Sequence, residues 1–231
     1  MDLATVMSQL ESLGKEETAQ AYKSQGAGSN VFGVAPAALK RLTKKIGMDH
    51  DLAVELWDSG NADARTLATM VADPDELTPT QATQWMKDVT FAPHEEGVAA
   101  VVAASSFGLS KMRQWRKQKS EYARTTGYAI LNCLLEDDPD SIEEAECLRI
   151  LKDIIVELPR SPNRARHAMV MSVIAIGSHK PELRDEAIEA GEEIGEVEVD
   201  YGDSSGKAPR IVPSIKRAAR RSTRNASVRS A

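Results

Sequence analysis

The feature that most restricts what this sequence can fold into is a helical rhythm of apolar residues, interrupted at short intervals by residues that start or stop helices. Ala38, Leu39, Leu42 and Ile46 fall at helical spacing behind Pro36, whose fixed φ suits a first helical position, and Gly47 is placed to close the turn. Leu52, Ala53, Leu56 and Trp57 form a second apolar face, ended by Ser59 and Gly60. Asn61 is an N-cap for a segment reaching Val71, with Ala64, Leu67, Ala68 and Val71 turned inward, and Asp73-Pro74 breaks it. Thr78 caps the next helix, with Pro79 at its first position and an end near Asp88. The Ala/Val-rich stretch 94–105 reads as buried, and further helices are expected over 111–117, 120–136, 141–157, 162–178 and 181–194. Only Val197-Glu198-Val199 looks like a strand, and no hairpin turn follows it.

Paired helices recur at a period of roughly 35–40 residues, a spacing that favours a helical solenoid over a bundle. The expected architecture is therefore all-α, a single helical-repeat solenoid over 1–218 followed by a basic, flexible tail over 219–231. Aromatic residues make up only 4% of the chain against 42% hydrophobic, so the core must be built from Ala, Leu, Ile, Val and Met, which lets helices approach closely. No apolar run is long enough for a membrane span, and the acidic N-terminus lacks the pattern of a signal peptide. Cys133 and Cys147 sit within helical patterns and read as small buried hydrophobes. A cytoplasmic monomer that contacts no membrane is the expectation.

Charge is unevenly placed. From Gly206 onward there are eight basic residues and no acidic one. The preceding residues carry twenty-one basic against thirty-five acidic, a net of −14. A body that acidic can hold a nucleic acid only if its charges are segregated. The basic end can be read either as a solvated terminus or as a nucleic-acid contact.

Several segments, in order, resemble the DNA alkylation repair family of HEAT-like-repeat DNA glycosylases (AlkD-like). Phe32-Gly33-Val34-Ala35-Pro36 through Leu42 is similar to an early helix start of that family. Leu56-Trp57 with Asp63 and Arg65 resembles its "L-W-x-x-x-x-x-E/D-x-R" turn. Ala168-Met169 with Val173 to Ser178 resembles a late helix, and Val197 to Asp203 followed by Lys207-Ala208-Pro209 resembles its tail. The resemblance covers roughly residues 30–218 and implies an α-α superhelix of HEAT-like repeats with alkylated duplex DNA on its concave face. It also implies excision of N-alkylated purines, which requires neither metal nor other cofactor. The cationic base is already a good leaving group, an aromatic wall can stabilise it, and a carboxylate can stabilise the developing sugar cation.

Carried over residue by residue, the family's site carboxylate falls on Glu96, with Glu95 one register away. The aromatic four positions earlier falls on Ala92, with Phe91 the nearest replacement. A second family aromatic falls near Met171. Arg124 matches an arginine that approaches the DNA backbone, and Glu96 with Arg124 forms the expected catalytic pair. Phosphate contacts are expected from Lys40, Arg41, Lys44 and Lys45, from Lys111, Arg113 and Arg116, and from Arg164 and Arg166. Competing structural readings stand beside these. Pro93 would set Glu95 and Glu96 in the first turn of a helix, where the dipole favours carboxylates. Arg124 could brace the fold, each basic group could be a solvated helix face, and Trp57, Trp85 and Trp115 could serve packing alone. His94 reads as a solvated residue at a helix start, with general base as the other possibility.

Two functions follow. One is an alkylpurine DNA glycosylase. The other is a HEAT-like module that binds DNA or a protein without catalysis, having lost the site aromatics.

Overall fold

The computed structural model describes residues 1–200 and 207–229, with side chains described up to residue 221. Among the described residues the fold is all α, with thirteen helices and no strand; Gly14 and Val34 form an isolated antiparallel bridge. Val197, Glu198 and Val199 are irregular, so the strand-like reading of that stretch fails. Tyr201, Gly202 and Asp203 of the tail motif lie outside the described residues. No described helix is long and apolar enough to cross a membrane. The chain divides into two compact units, Met1–Gly108 and Leu109–Ala231.

The first unit contains α1 (Leu3–Leu13), α2 (Glu16–Ser24), α3 (Pro36–Ile46), α4 (His50–Asp58), α5 (Ala62–Val71), α6 (Pro79–Asp88) and α7 (Ala92–Ala104). The expected boundaries of α3, α5 and α6 hold because their caps are real. The Asn61 side chain accepts from the backbone N–H groups of Asp63 and Ala64, and Thr78 with Gln81 forms a reciprocal capping box. Helix α5 packs against α3, α4 and α7. Its Ala62, Ala64, Leu67 and Ala68 are almost wholly buried, and the small residues allow that many neighbours. Trp57 of α4 stacks on Trp85 of α6 with ring centroids 4.6 Å apart.

Two sequence motifs meet in this unit. The buried Asp63 carboxylate accepts three backbone N–H bonds, from Phe32 (2.7 Å), Gly33 (3.0 Å) and Val34 (2.8 Å). The loop entering α3 is thereby fastened to the N-terminus of α5. Gly33 has φ +82°, and a Cβ there would run into the backbone of Ala19 and Lys15, so only glycine fits. Arg65, two residues on, donates from Nε to the Trp57 carbonyl at 3.1 Å and lies 5.2 Å from the centroid of the Trp57 ring. The Trp57 indole N–H donates to Asp88. These contacts give the Asp63-x-Arg65 pattern a structural task.

The second unit contains α8 (Gly108–Trp115), α9 (Glu121–Asp137), α10 (Glu144–Glu157), α11 (Asn163–His179), α12 (Arg184–Ile194) and α13 (Ile211–Arg229). The boundary expected at residue 218 falls inside α13. Helix α11 forms the centre, packed along α9 and also against α12 and α13. Cys147 is buried, as expected, and burial pushes its thiol up to about 11; Cys133 is only half-buried. A Cβ on Gly127 of α9 would strike the backbone of Trp115 and Arg116, where no flexible side chain could yield. Gly127→Ala is therefore expected to destabilise the protein by about 1–3 kcal/mol, the usual range for overpacking, read from thermal denaturation.

Candidate functional site

Glu96 stands near the start of α7, at the rim of a small cavity of about 200 Å³ lined also by Tyr22, Lys40, Asp63, Met70 and Phe91. The helix begins at Ala92, with Phe91 as N-cap residue and Pro93 at its second position, one residue earlier than expected. Glu95 lies in the first turn, so the dipole account of this pair holds for it. Glu96 is exposed by area, yet the protein surface behind it removes enough water to raise its carboxyl pKa above the ordinary value.

The aromatic question has a clear structural answer. Ala92 is exposed and presents no ring. Phe91 is 2% exposed and packs at 5.2 Å from both Tyr22 and His94. Its ring belongs to the core and to the cavity wall. The Tyr22 hydroxyl donates to the Val34 carbonyl, and burial, then the nearby Asp63, raises its pKa. Trp57, Trp85 and Trp115 are buried in packing, and Met171 in the second unit is half-buried.

His94 corrects the expectation of a solvated residue: it is 2% exposed, and its Nε2 lies 2.8 Å from the Ala62 carbonyl. A carbonyl can only accept, so Nε2 carries the proton. Burial lowers the ring pKa, and the fold therefore holds the neutral form. The unfolded chain binds a proton below about pH 6.5, so the stability linked to this residue is present above that pH and lost below it. The fall in Tm from about pH 7.5 to about pH 5 is accordingly expected to be smaller in His94→Gln than in the wild type, measured by calorimetry.

The expected phosphate contacts separate into two groups. Lys40, Arg41, Lys44 and Lys45 are all exposed on α3, which contains no acidic residue, and no ion pair to them occurs among the described residues. Lys44 and Lys45 also suit the negative end of the helix dipole, but that contact is worth only about 0.3–1 kcal/mol and leaves their ammonium groups accessible.

In the second unit the basic residues are largely committed. Arg113 makes a forked pair with Glu146 (2.6 Å at the shortest), which raises the arginine pKa and lowers that of the carboxylate. Arg116 departs most from its expected role: it is 5% exposed and pairs with Asp153 at 2.9 Å, so its guanidinium is unavailable to a phosphate. Lys111 lies 5.2 Å from the centroid of Trp115 and Arg164 5.7 Å from that of Tyr122. Arg166 donates to the Ser161 carbonyl. Arg124 donates to the Gln118 carbonyl (3.0 Å) and to Ser161 Oγ (3.1 Å), and sits 3.4 Å from Glu157. In this structure Arg124 braces the turn before α9 against the turn before α11. Glu96 belongs to the first unit and Arg124 to the second.

Sequence reasoning missed Asp63 and Tyr22 as members of the cavity wall. An aspartate two residues beyond an N-cap asparagine, flanked by apolar positions that must be buried, was the available signal for Asp63. Among the described residues no group of three or more His, Cys, Asp or Glu side chains could hold a metal ion.

The family model described as DNA alkylation repair enzyme matches residues 6–227. This chain belongs to the DNA alkylation repair enzyme family. It is 26% identical over 219 residues to the uncharacterized protein Lin0241 of Listeria innocua, covering 92% of this chain and 95% of that protein. It is 25% identical, with the same coverage, to the uncharacterized protein Lmo0209 of Listeria monocytogenes. A solved structure from a family described as related to the HEAT-like repeat DNA glycosylases, with affinity for branched DNA structures, is similar with a TM-score of 0.88 and 29% identity. That similarity covers 96% of this chain and 95% of the other. The fold is thus the HEAT-like helical repeat that the sequence led us to expect.

Proposed function

We propose that this protein binds branched or locally distorted duplex DNA through its phosphate backbone, and that binding rather than base excision is its main activity. The observation that carries this reading is α3, a helix with four exposed cations and no acid. Charge segregated in this way is what an acidic chain needs to hold DNA. The full-length likeness to a protein with affinity for branched DNA supports the choice of substrate. The cavity beside Glu96 supports it from the other side. About 200 Å³ is below the 300–1,000 Å³ typical of small-molecule sites, and its rings are engaged in packing, leaving none free to wall a base. The test is competition between a labelled four-way junction and a linear duplex of the same sequence. Preferential retention of the junction is expected, and equal competition would sink the preference.

A second reading, excision of N-alkylated purines, is favoured by Glu96 alone, an acidic group at the family position with a raised pKa beside Lys40. Release of methylated purine from duplex DNA that falls with Glu96→Gln would establish it. Release that is unchanged in the variant would remove Glu96 from any catalytic role.

A further inference from the structure

Residues 219–229, part of the stretch expected to form a basic tail, lie in α13, a helix of nineteen residues and therefore about 28 Å long at 1.5 Å per residue. Its beginning is anchored. Ile211 is 3% exposed and rests against Gly191 of α12, where an added Cβ would strike it. Ile215 is 0% exposed and rests in the same way against Gly177 of α11. The two isoleucines are four residues apart, so they lie on one face, and the two glycines form the sockets that receive them.

The opposite face is basic. Lys216, Arg217, Arg220 and Arg221 are all exposed, and by helical periodicity they point away from the Ile211–Ile215 stripe. The helix contains no acidic residue, and no ion pair to these four side chains occurs among the described residues. The spacing continues in the sequence at Arg224. An ordinary solvated helix face mixes signs, whereas this one carries a single sign on a backbone fixed at one end.

The chemistry of the face selects its partner. Arginine predominates, and its planar fork matches phosphate oxygens. A helix that lies on a membrane needs large apolar or aromatic residues to insert, but the large apolar residues Ile211 and Ile215 are already spent on α11 and α12, and α13 has no aromatic residue. We infer that α13 is a second DNA-contact surface, a basic helix seated on α11 and α12 that lays Lys216, Arg217, Arg220 and Arg221 along a phosphate backbone. This rests on the DNA-binding reading above and adds a contact that the family resemblance did not assign.

The test uses the full chain with Lys216→Ala, Arg217→Ala, Arg220→Ala and Arg221→Ala together, and fluorescence anisotropy on a labelled four-way junction across a salt series. The slope of log K against log salt is expected to become shallower by about 2–4, and affinity to fall on the order of 100- to 1,000-fold near 0.1 M salt. A companion variant with Arg217→Lys, Arg220→Lys and Arg221→Lys keeps the charge and is expected to keep most of the slope. Far-UV circular dichroism and Tm of the alanine variant are expected to match the wild type, because the four side chains are exposed. A wild type that binds DNA and an alanine variant with the same slope and affinity would overturn the role of α13 while leaving the DNA-binding reading intact. A wild type that does not bind at low salt would overturn both. Loss of binding to vesicles containing phosphatidylglycerol in the alanine variant, with DNA binding unaltered, would assign the helix to a membrane surface and overturn the inference.

Discussion

Asp63→Ala is expected to cost about 3–5 kcal/mol of stability, the range seen when a buried charge-assisted network loses its acceptor. The carboxylate takes three backbone N–H bonds from consecutive residues, and Asp63 itself is 2% exposed. Truncation to alanine leaves those donors facing a small void without a partner. Water cannot easily replace the carboxylate, because the Gly33 and Val34 bonds are buried and Gly33 is pressed against the backbone of α2. For a chain of this size each kcal/mol shifts Tm by about 2–4 °C, so a fall on the order of 10 °C is expected by calorimetry. Asp63→Asn retains an accepting oxygen but brings an NH2 group toward an N–H donor, so it is expected to recover only part of the loss. A Tm within about 2 °C of wild type for Asp63→Ala would show that the clamp is dispensable.

The second large effect concerns DNA. Joint replacement of Lys40, Arg41, Lys44 and Lys45 by alanine is expected to weaken binding to a junction on the order of 100-fold or more near 0.1 M salt, and to flatten the salt dependence by about 2–4. All four residues are exposed on α3, so the substitution should leave folding intact. Replacement of Arg113 and Arg116 should behave in the opposite way. Their partners Glu146 and Asp153 lie in α10, so their loss should appear in Tm while the salt slope changes little. Unaltered DNA affinity in the α3 variant would remove that helix from the interface.

The contrast between these two basic groups shows what the sequence could and could not convey. For most elements between α3 and α12, helix existence was legible because apolar residues recur near a period of 3.6 and several of these helices are closed by caps with a local mechanism. Asn61, Thr78, Pro36 and Pro79 act within one turn of their own position, so their effect can be read locally. Helix α13 was not legible as a helix because its apolar face is only two isoleucines wide, and the residues that receive them, Gly177 and Gly191, are distant in sequence. The fate of each arginine was equally illegible. Arg113 and Arg116 were indistinguishable from Arg41 by type and neighbourhood, and only the fold brings Glu146 and Asp153 to them, thirty-three and thirty-seven residues away. His94 failed in the same manner, since burial comes from the packing of α7 on α5 and from the Ala62 carbonyl. Glu96 was a candidate from the resemblance alone, and its raised pKa depends on the protein surface and cavity wall beside it, which the sequence does not display.

The most direct test of the central claim is the salt dependence of wild-type binding to a four-way junction, measured by anisotropy from about 50 to about 300 mM salt. If exposed cations hold the phosphate backbone, log K should fall linearly with log salt at a slope steeper than about −3. A slope near zero, or no binding at the lowest salt, would contradict the account.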